Sequence, residues 1–192
     1  MIPSIETCFN LMNKYNMLEN IREHSIMVAR TAGLIAGGLK GAGEDISVKK
    51  SVAGALLHDI GKTEGLKSGN DHAEIGVRIC LENGLNEIVE LIKEHVRLIN
   101  YHIDTKYSEK EVVFYSDKRV NHNKIVSLEE RLAYILDRYA KNQDDLSRAI
   151  RINFELCKKV EEKLFRKLDF EPDTLSELVN NNNKPIFRQL PI

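Results

Sequence analysis

A histidine and an aspartate, His58 and Asp59, directly follow the apolar run Val52–Leu57. The run has the composition of a buried helix, so it carries both polar side chains towards the interior of the fold. Desolvating a carboxylate costs several kcal/mol or more unless a cation or hydrogen-bond donors compensate for the lost water. The chain must therefore fold so that other groups meet this pair, and the rest of the sequence indicates that metal ions do so.

The length and composition are those of an ordinary globular protein. The chain has 192 residues, 42% of them hydrophobic and 30% charged, with a formal net charge of −1. This size favours one domain with a small appendage. We predict a helical domain over residues 1–170 and a short helix with a tail over 171–192. Without a basic excess, no DNA partner is expected.

The N-terminus and the cysteines predict a cytoplasmic protein. The first residues lack the basic and apolar regions of a secretory signal, and no stretch approaches the roughly 18 apolar residues of a membrane span. Cys8, Cys80 and Cys157 are odd in number and far apart, so they indicate neither a disulfide framework nor a thiolate metal site. Cys80 and Cys157 lie among apolar residues and are expected to be buried thiols.

Apolar residues recur at helical spacing along almost the whole chain, and no period-2 alternation is long enough to indicate a sheet. The segments Ser108–Glu111 and Ser127–Glu130 are typical capping boxes. Glycines at positions 61 and 65 predict a loop, and 100–107 is expected to be irregular. We predict an all-α, single-domain bundle with helices over about 4–16, 20–39, 47–58, 71–84, 85–98, 108–120, 127–141 and 144–167, and a short last helix after Pro172.

Several of these helices bring a histidine or an aspartate onto an apolar stripe, since residues three and four apart share a face. One such histidine is more often a hydrogen-bonded core residue than a ligand, and one such aspartate is usually a cap or an ion-pair partner. One shared site explains the whole set better than separate accidents do. No Lys or Arg lies on the same stripes to neutralise the carboxylates. The set is His24, His58, Asp59, His72, His95 and Asp117.

Imidazole and carboxylate ligands suit borderline divalent metals, and the lack of cysteine ligands argues against a closed structural zinc site. We therefore predict one or two divalent ions, from Fe, Mn, Zn, Ni, Co or Mg. His102 and His122 lie off the stripes and are expected to be exposed to solvent.

Three motifs follow one another along the chain: His24 in Ile-Arg-Glu-His-Ser, His58-Asp59 in Leu-Leu-His-Asp-Ile-Gly-Lys, and Asp117 in Tyr-Ser-Asp-Lys. In this order, over roughly residues 20–140, the chain resembles the HD superfamily of metal-dependent phosphohydrolases. The resemblance implies an HD-type helical fold. It also implies that these four side chains ligate one metal ion.

Some branches of that superfamily hold a second metal through two further histidines. The segment His72-Ala-Glu-Ile-Gly76 and His95 match their arrangement, and Asp59 would then lie between both ions. Cyclic dinucleotide phosphodiesterases of the HD-GYP type also carry a Gly-Tyr-Pro element, which this chain lacks. Diadenosine tetraphosphate hydrolases are similar only in histidine spacing. In mononuclear relatives, the residue equivalent to His72 or His95 contacts phosphate or shuttles protons.

The residues and the resemblance together predict hydrolysis of a phosphate ester or anhydride, of a nucleotide or dinucleotide, by metal-activated water. Asp59 would act as a ligand and orient the water. Lys62 would stabilise charge on the phosphoryl oxygens, unless it is only a solvated lysine at a helix C-terminus. Nucleobase choice is assigned to loops such as 62–70 and 100–107. Further candidates for substrate contacts are Arg22, Lys118, Arg119 and Arg131.

Other readings stay open at this point. One is a nucleotide-sensing or scaffold module that keeps the metal site but turns over little substrate. A second is a bundle whose polar residues pair internally without metal, and a third is a di-iron enzyme that activates dioxygen. The expected partner is a small phosphorylated molecule. A homodimer is also open, because the amphipathic helix over 144–167 can cover either the bundle or a second chain.

Overall fold

Helices make up nearly all of the regular structure. The structure is a computed structural model that describes residues 1–181 and Leu190. Helices α1 to α5 are Ile5–Lys14, Glu19–Gly41, Val48–Leu57, Lys62–Ser68 and His72–Glu82. Helices α6 to α10 are Val89–Glu94, Glu109–Lys118, Leu128–Tyr139, Asp144–Phe165 and Leu175–Asn180. Single 3₁₀ turns, Asn86–Ile88 and Pro172–Thr174, precede α6 and α10, and strand β1 (Val120–Asn121) pairs antiparallel with strand β2 (Lys124–Ile125).

The predicted all-α class is confirmed, and most helices begin where their capping residues predict. Side-chain caps form at Ser4, Ser47 and Asp71, and both capping boxes are present at Ser108 and Ser127. The predicted tail lies outside the described residues beyond position 181, except for Leu190.

Three local elements differ from the prediction. Helix α4 occupies part of the predicted loop after the His-Asp pair and ends at Gly69, whose φ of +76° suits glycine. The helix expected over 85–98 is a 3₁₀ turn followed by α6, which ends at Glu94. The hairpin of β1 and β2 is too short to give a period-2 signal.

Helix α2 forms the centre of the bundle. It is buried on most of its circumference, as expected of a helix surrounded by other elements. It packs most extensively against α3 and also against α7, while α6 packs against α3, α5 and α7. The ends of α3 and α6, the start of α5 and the last turn of α7 are therefore held around one region beside α2.

Gly61 allows the segment after Asp59 to pass close to α5. A Cβ atom at Gly61 would lie 2.3 Å from the carbonyl oxygen of His72 and 2.6 Å from the amide nitrogen of Gly76. Both are backbone atoms, so α5 would have to move to make room. A Cβ atom at Gly76 would lie 2.7 Å from Cγ2 of Ile92. The two glycines thus set the distance between the His-Asp segment, α5 and α6.

The cysteines and the helices bear on two predictions made from composition. Cys8, Cys80 and Cys157 are all buried and free, which confirms the prediction for the last two. Among the described residues, no helix combines the length and the apolar character needed to cross a membrane.

We expect Gly61→Ala to destabilise the protein, because its methyl group would meet backbone that cannot repack. Overpacking of this kind costs about 1–3 kcal/mol of the free energy of unfolding, measured by chemical denaturation. Gly37→Ala in α2 is the matched control, since a Cβ atom there has no neighbour within 4 Å. It should be neutral or stabilise by roughly 0.5–1 kcal/mol, as Ala favours helix over Gly. Equal stability of the two variants would contradict the close approach at Gly61.

Candidate metal centre

The six predicted ligand side chains meet at the centre of the helical bundle. They come from the first half of α2, the residues just after α3, the first residue of α5, the residue after α6 and the last turn of α7. His24, His58, Asp59 and His95 are buried, while His72 and Asp117 are half-buried. The structure therefore brings together His24, His58, Asp59, His72, His95 and Asp117.

One half of the cluster surrounds Asp117. Its Oδ1 lies 3.0 Å from Nε2 of His24 and 3.6 Å from Nε2 of His58. Nε2 of His58 also lies 3.4 Å from Oδ2 of Asp59. His24 and His58 thus face a carboxylate oxygen of Asp117, and His58 also faces Asp59.

The other half surrounds Oδ1 of Asp59. Nε2 of His72 lies 3.4 Å from this oxygen and Nε2 of His95 lies 3.5 Å from it. The two Nε2 atoms are 3.2 Å apart. Asp59 consequently presents one oxygen to each half. Two three-residue groups, one of His24, His58 and Asp59 and one of Asp59, His72 and His95, have ligand atoms within 4.8 Å of one another.

Two of the histidines are oriented by the helices that they end. His58 follows α3 and its Nδ1 donates to the carbonyl of Ala55 at 2.7 Å, while His95 follows α6 and its Nδ1 donates to the carbonyl of Ile92 at 2.6 Å. The last carbonyls of a helix have no partner within the helix, so these bonds satisfy acceptors that would otherwise be unpaired. A carbonyl only accepts, so Nδ1 carries a proton in each ring and Nε2 is the nitrogen that faces the carboxylates.

His24 is oriented by the hairpin instead. Its Nδ1 donates to the carbonyl of His122 at 2.9 Å. His122 lies in the hairpin turn with a φ of +54°, a left-handed conformation uncommon for a residue other than glycine. Next to it, Oδ1 of Asn121 accepts from Nη1 of Arg131 at 2.9 Å. The side chains of His122 and His102 are exposed, as predicted, but the backbone of His122 belongs to the centre.

Two atoms of the cluster are buried without a hydrogen-bond partner in the described part of the chain, Nε2 of His58 and Oδ1 of Asp59. Such orphaned polar atoms are costly and need an explanation. Burial opposes the charge on His58, yet the carboxylates of Asp59 and Asp117 raise its pKa to about 9. Burial would also raise the pKa of Asp59, but His58 and Lys62 hold it well below the ordinary value. A divalent cation that replaces the proton on Nε2 of His58 and accepts lone pairs from both atoms fits the donor set.

Two lysines contact the carboxylates, although none is expected on the apolar stripes themselves. Nζ of Lys62 donates to Oδ2 of Asp59 at 2.8 Å, and Nζ of Lys118 donates to Oδ2 of Asp117 at 3.0 Å. Neither lysine shares the apolar stripe of its partner, so the stripe pattern misses both. The lysines take the Oδ2 atoms, which leaves Oδ1 of each carboxylate directed at imidazole nitrogens.

The two lysines differ in what else they can reach. Lys118 is buried and also donates to the carbonyl of His95 at 2.5 Å, so it joins α7 to the end of α6. The side chain of Lys62 is 34% exposed and lines the space beside the cluster. Burial would lower the pKa of Lys62, but Asp59 raises it, so the ammonium stays charged.

Two cavities open onto the cluster. The larger has a volume of about 460 Å³ and the smaller about 230 Å³. The following residues line both: Asp59, Lys62, Leu66, Arg131 and Tyr139.

The predicted substrate-binding arginines fall in different places. Arg131 lines both cavities, whereas Arg22 donates to Oδ1 of Asn13 at 2.7 Å and lines a separate cavity beside Phe9. Arg119 is buried and bonds to the carbonyl of Val126 at 2.7 Å, so its role is structural. Lys62, Lys118 and Arg131 are therefore the candidates that the fold brings to the cluster.

Helix α8 contributes cavity walls that the sequence pattern does not predict. Tyr134, Ile135, Arg138 and Tyr139 of α8 line one or both cavities. Of the two segments assigned to substrate choice, 62–70 lines the larger cavity, but no residue of 100–107 lines either one. Tyr139 is 53% exposed and lines both cavities, and no spacing pattern in the sequence distinguishes it from other surface residues.

The chain is similar to an uncharacterised protein along most of its length and to parts of two other proteins. It is 28% identical to an uncharacterised protein of Methanocaldococcus jannaschii over 72% of this chain and 88% of that one. It is 38% identical to ribonuclease Y of Listeria welshimeri over 37% of this chain, but only 13% of that protein. It is 33% identical to a tRNA (cytidine(56)-2'-O)-methyltransferase of Thermoplasma volcanium over 50% of this chain and 26% of that protein.

No solved structure matches the chain significantly. The family model of the HD domain matches residues 21–149, a span that contains all six residues of the cluster. Because this match covers well over half of the sequence, the chain belongs to the HD domain family, a superfamily of metal-dependent phosphohydrolases.

Proposed function

We propose that this protein is a metal-dependent phosphohydrolase that cleaves a phosphate ester or anhydride of a nucleotide or dinucleotide. The observation that carries the proposal is Asp59, which directs its two oxygens at imidazole nitrogens on opposite sides and lies where two cavities meet. A carboxylate in this position can hold metal and face substrate at the same time.

The two halves of the cluster are proposed to hold the metal. His24, His58, Asp59 and Asp117 would hold one ion, and Asp59, His72 and His95 a second. When bound, a divalent ion lowers the pKa of a water molecule and so supplies a nucleophile near neutral pH.

The cations at the cavities favour an anionic substrate. Lys62, Lys118, Arg131 and Arg138 are among the lining residues, whereas Asp59 and Asp117 are the only carboxylates that line the cavities in the described part of the chain. Both carboxylates belong to the cluster, so the remaining walls are neutral or positive. Lys62 stays charged at the junction and would neutralise phosphoryl oxygens as negative charge builds on them.

Apolar walls support a substrate that carries a ring. Leu66 is 69% exposed and Tyr139 is 53% exposed, and both flank the junction of the cavities. Exposed apolar and aromatic side chains beside a polar centre are typical of a site that buries an organic ring. The ribonuclease and tRNA methyltransferase among the relatives are named for RNA, which supports a nucleotide as the phosphate carrier.

We expect the metal content to follow the two halves of the cluster. His72→Ala should lower the divalent metal content of protein purified without chelator by about one ion per chain, since it removes a ligand from one half only. Asp59→Ala should lower it further, because Asp59 serves both halves. His102→Ala, which removes an exposed histidine outside the cluster, should match the wild type. Elemental analysis checks this, and a wild-type content in Asp59→Ala would contradict the proposed ligands.

We expect Lys62→Met to lower kcat of nucleotide hydrolysis by about 10²-fold or more, since a cation beside developing phosphoryl charge stabilises the transition state by a few kcal/mol. Lys67→Met, on an exposed lysine of the same helix, is the matched control and should behave as wild type. The assay uses Mn²⁺, Co²⁺, Ni²⁺ or Fe²⁺ with nucleotides and dinucleotides. Tight binding of one nucleotide without turnover by the metal-loaded wild type would instead favour the sensing module.

A further inference from the structure

We infer that the substrate is a phosphodiester, with a separate organic group on each side of the phosphorus, rather than a phosphate monoester. The inference rests on the proposed function and goes further, because it concerns the space around the cluster. Its basis is the position of the two cavities relative to Asp59 and Lys62.

The cavities are distinct but share one border. Asp59, Lys62 and Arg131 line both, so the carboxylate and the two cations stand where the cavities meet. A phosphoryl group placed at this border would lie beside two cationic side chains. The remaining parts of the substrate would then extend into one cavity or both.

The larger cavity suits an apolar ring. Apart from the border and the cluster, its walls include Val96, Ile135, Ile150 and Phe154. Two neutral amides, Asn70 and Asn153, also line it and can choose between rings by hydrogen bonding. A volume of about 460 Å³ lies within the range of sites that bind small organic molecules.

The smaller cavity has a different character. It is lined by Asn20, Asn121, His122, Tyr134 and Arg138, which are mainly hydrogen-bonding groups. The rings of His122 and Tyr134 meet edge to face, with centroids 5.3 Å apart, and form one wall. Such walls suit a hydroxyl-bearing group such as a sugar.

With phosphorus at the border, the single organic group of a monoester extends from one ester oxygen into one cavity, whereas the two groups of a diester extend from different oxygens into both. In the reaction, the oxygen of water bonds to phosphorus while the bond from phosphorus to one ester oxygen breaks. The departing oxygen takes a proton and leaves as an alcohol. Diester and water thus give a monoester and an alcohol, with no oxidant or reductant.

The first experiment compares two probes with the same leaving group on the metal-loaded wild type. One is p-nitrophenyl phosphate, a monoester, and the other is the p-nitrophenyl ester of thymidine 5′-phosphate, a diester. We expect kcat/KM to be at least about tenfold higher for the diester, because it places a group in the second cavity. A kcat/KM for the monoester equal to or above that for the diester would overturn the inference and leave the proposed function intact. No hydrolysis of either probe or of any nucleotide would sink both.

The second experiment measures binding with adjacent residues of α8 that face different cavities. Tyr134 lines the smaller cavity and Ile135 the larger, and both are half-buried. Calorimetry on the metal-loaded protein uses the thymidine 5′-ester of 4-nitrobenzylphosphonate, a diester analogue in which a CH2 group replaces the leaving-group oxygen and the phosphonate keeps its negative charge. Tyr134→Ala and Ile135→Ala should each weaken binding by about tenfold, as each removes a wall from one occupied cavity. Asp137→Ala, exposed on the same helix and outside both linings, should bind as wild type.

If either alanine variant binds the diester as the wild type does, that cavity is empty in the complex and the inference fails. Thermal melting confirms that the variants are folded. Truncation at these positions leaves Leu128, the buried residue of α8, in place. Should one variant nevertheless unfold, the comparison of the two probes on the wild type decides the question alone.

Discussion

The carboxylate of Asp59 is the group on which the rest of the site depends. Its residue is 1% exposed, so its charge must be balanced within the protein. Lys62 meets one oxygen at 2.8 Å, and His72 and His95 face the other. A buried anion that loses its partners is strongly destabilising. The contacts that position the candidate metal ligands around Asp59 therefore also stabilise the fold.

The ends of two helices position two of the histidines in the cluster. Helices α3 and α6 both stop at a histidine whose ring folds back to a carbonyl three residues earlier. The same bond that completes the helix fixes the tautomer and directs the other ring nitrogen at the carboxylates. Two helices therefore orient two candidate metal ligands through hydrogen bonds to their own last turns. His24, in the interior of α2, has no such helix end and depends on the hairpin carbonyl of His122 instead.

The sequence predicts the parts of this structure that have local causes. Caps such as Ser108 and Ser127, and the stripes that carry His24 and Asp117, follow from spacings of three or four residues. The contact of His24 with His122 spans 98 positions, and no spacing rule predicts it. Spacing does not predict the hydrogen bond from Lys118 to the carbonyl of His95 either, because only the packing of α7 against α6 brings the two residues together.

The candidate ligands and much of the cavity wall lie on different helices. This explains why the ligands are easier to predict than the residues that line the cavities. The ligands lie on helices packed on several sides, where an apolar stripe makes a polar residue conspicuous. Much of the cavity wall lies on α8, which has one buried residue, Leu128, and packs mainly against α9. On such an exposed helix a polar or aromatic residue does not interrupt an apolar stripe, so the sequence pattern does not single it out. Since much of the wall and the cluster belong to separate elements, changes at Tyr134 or Ile135 alter the cavities without removing any partner of Asp59.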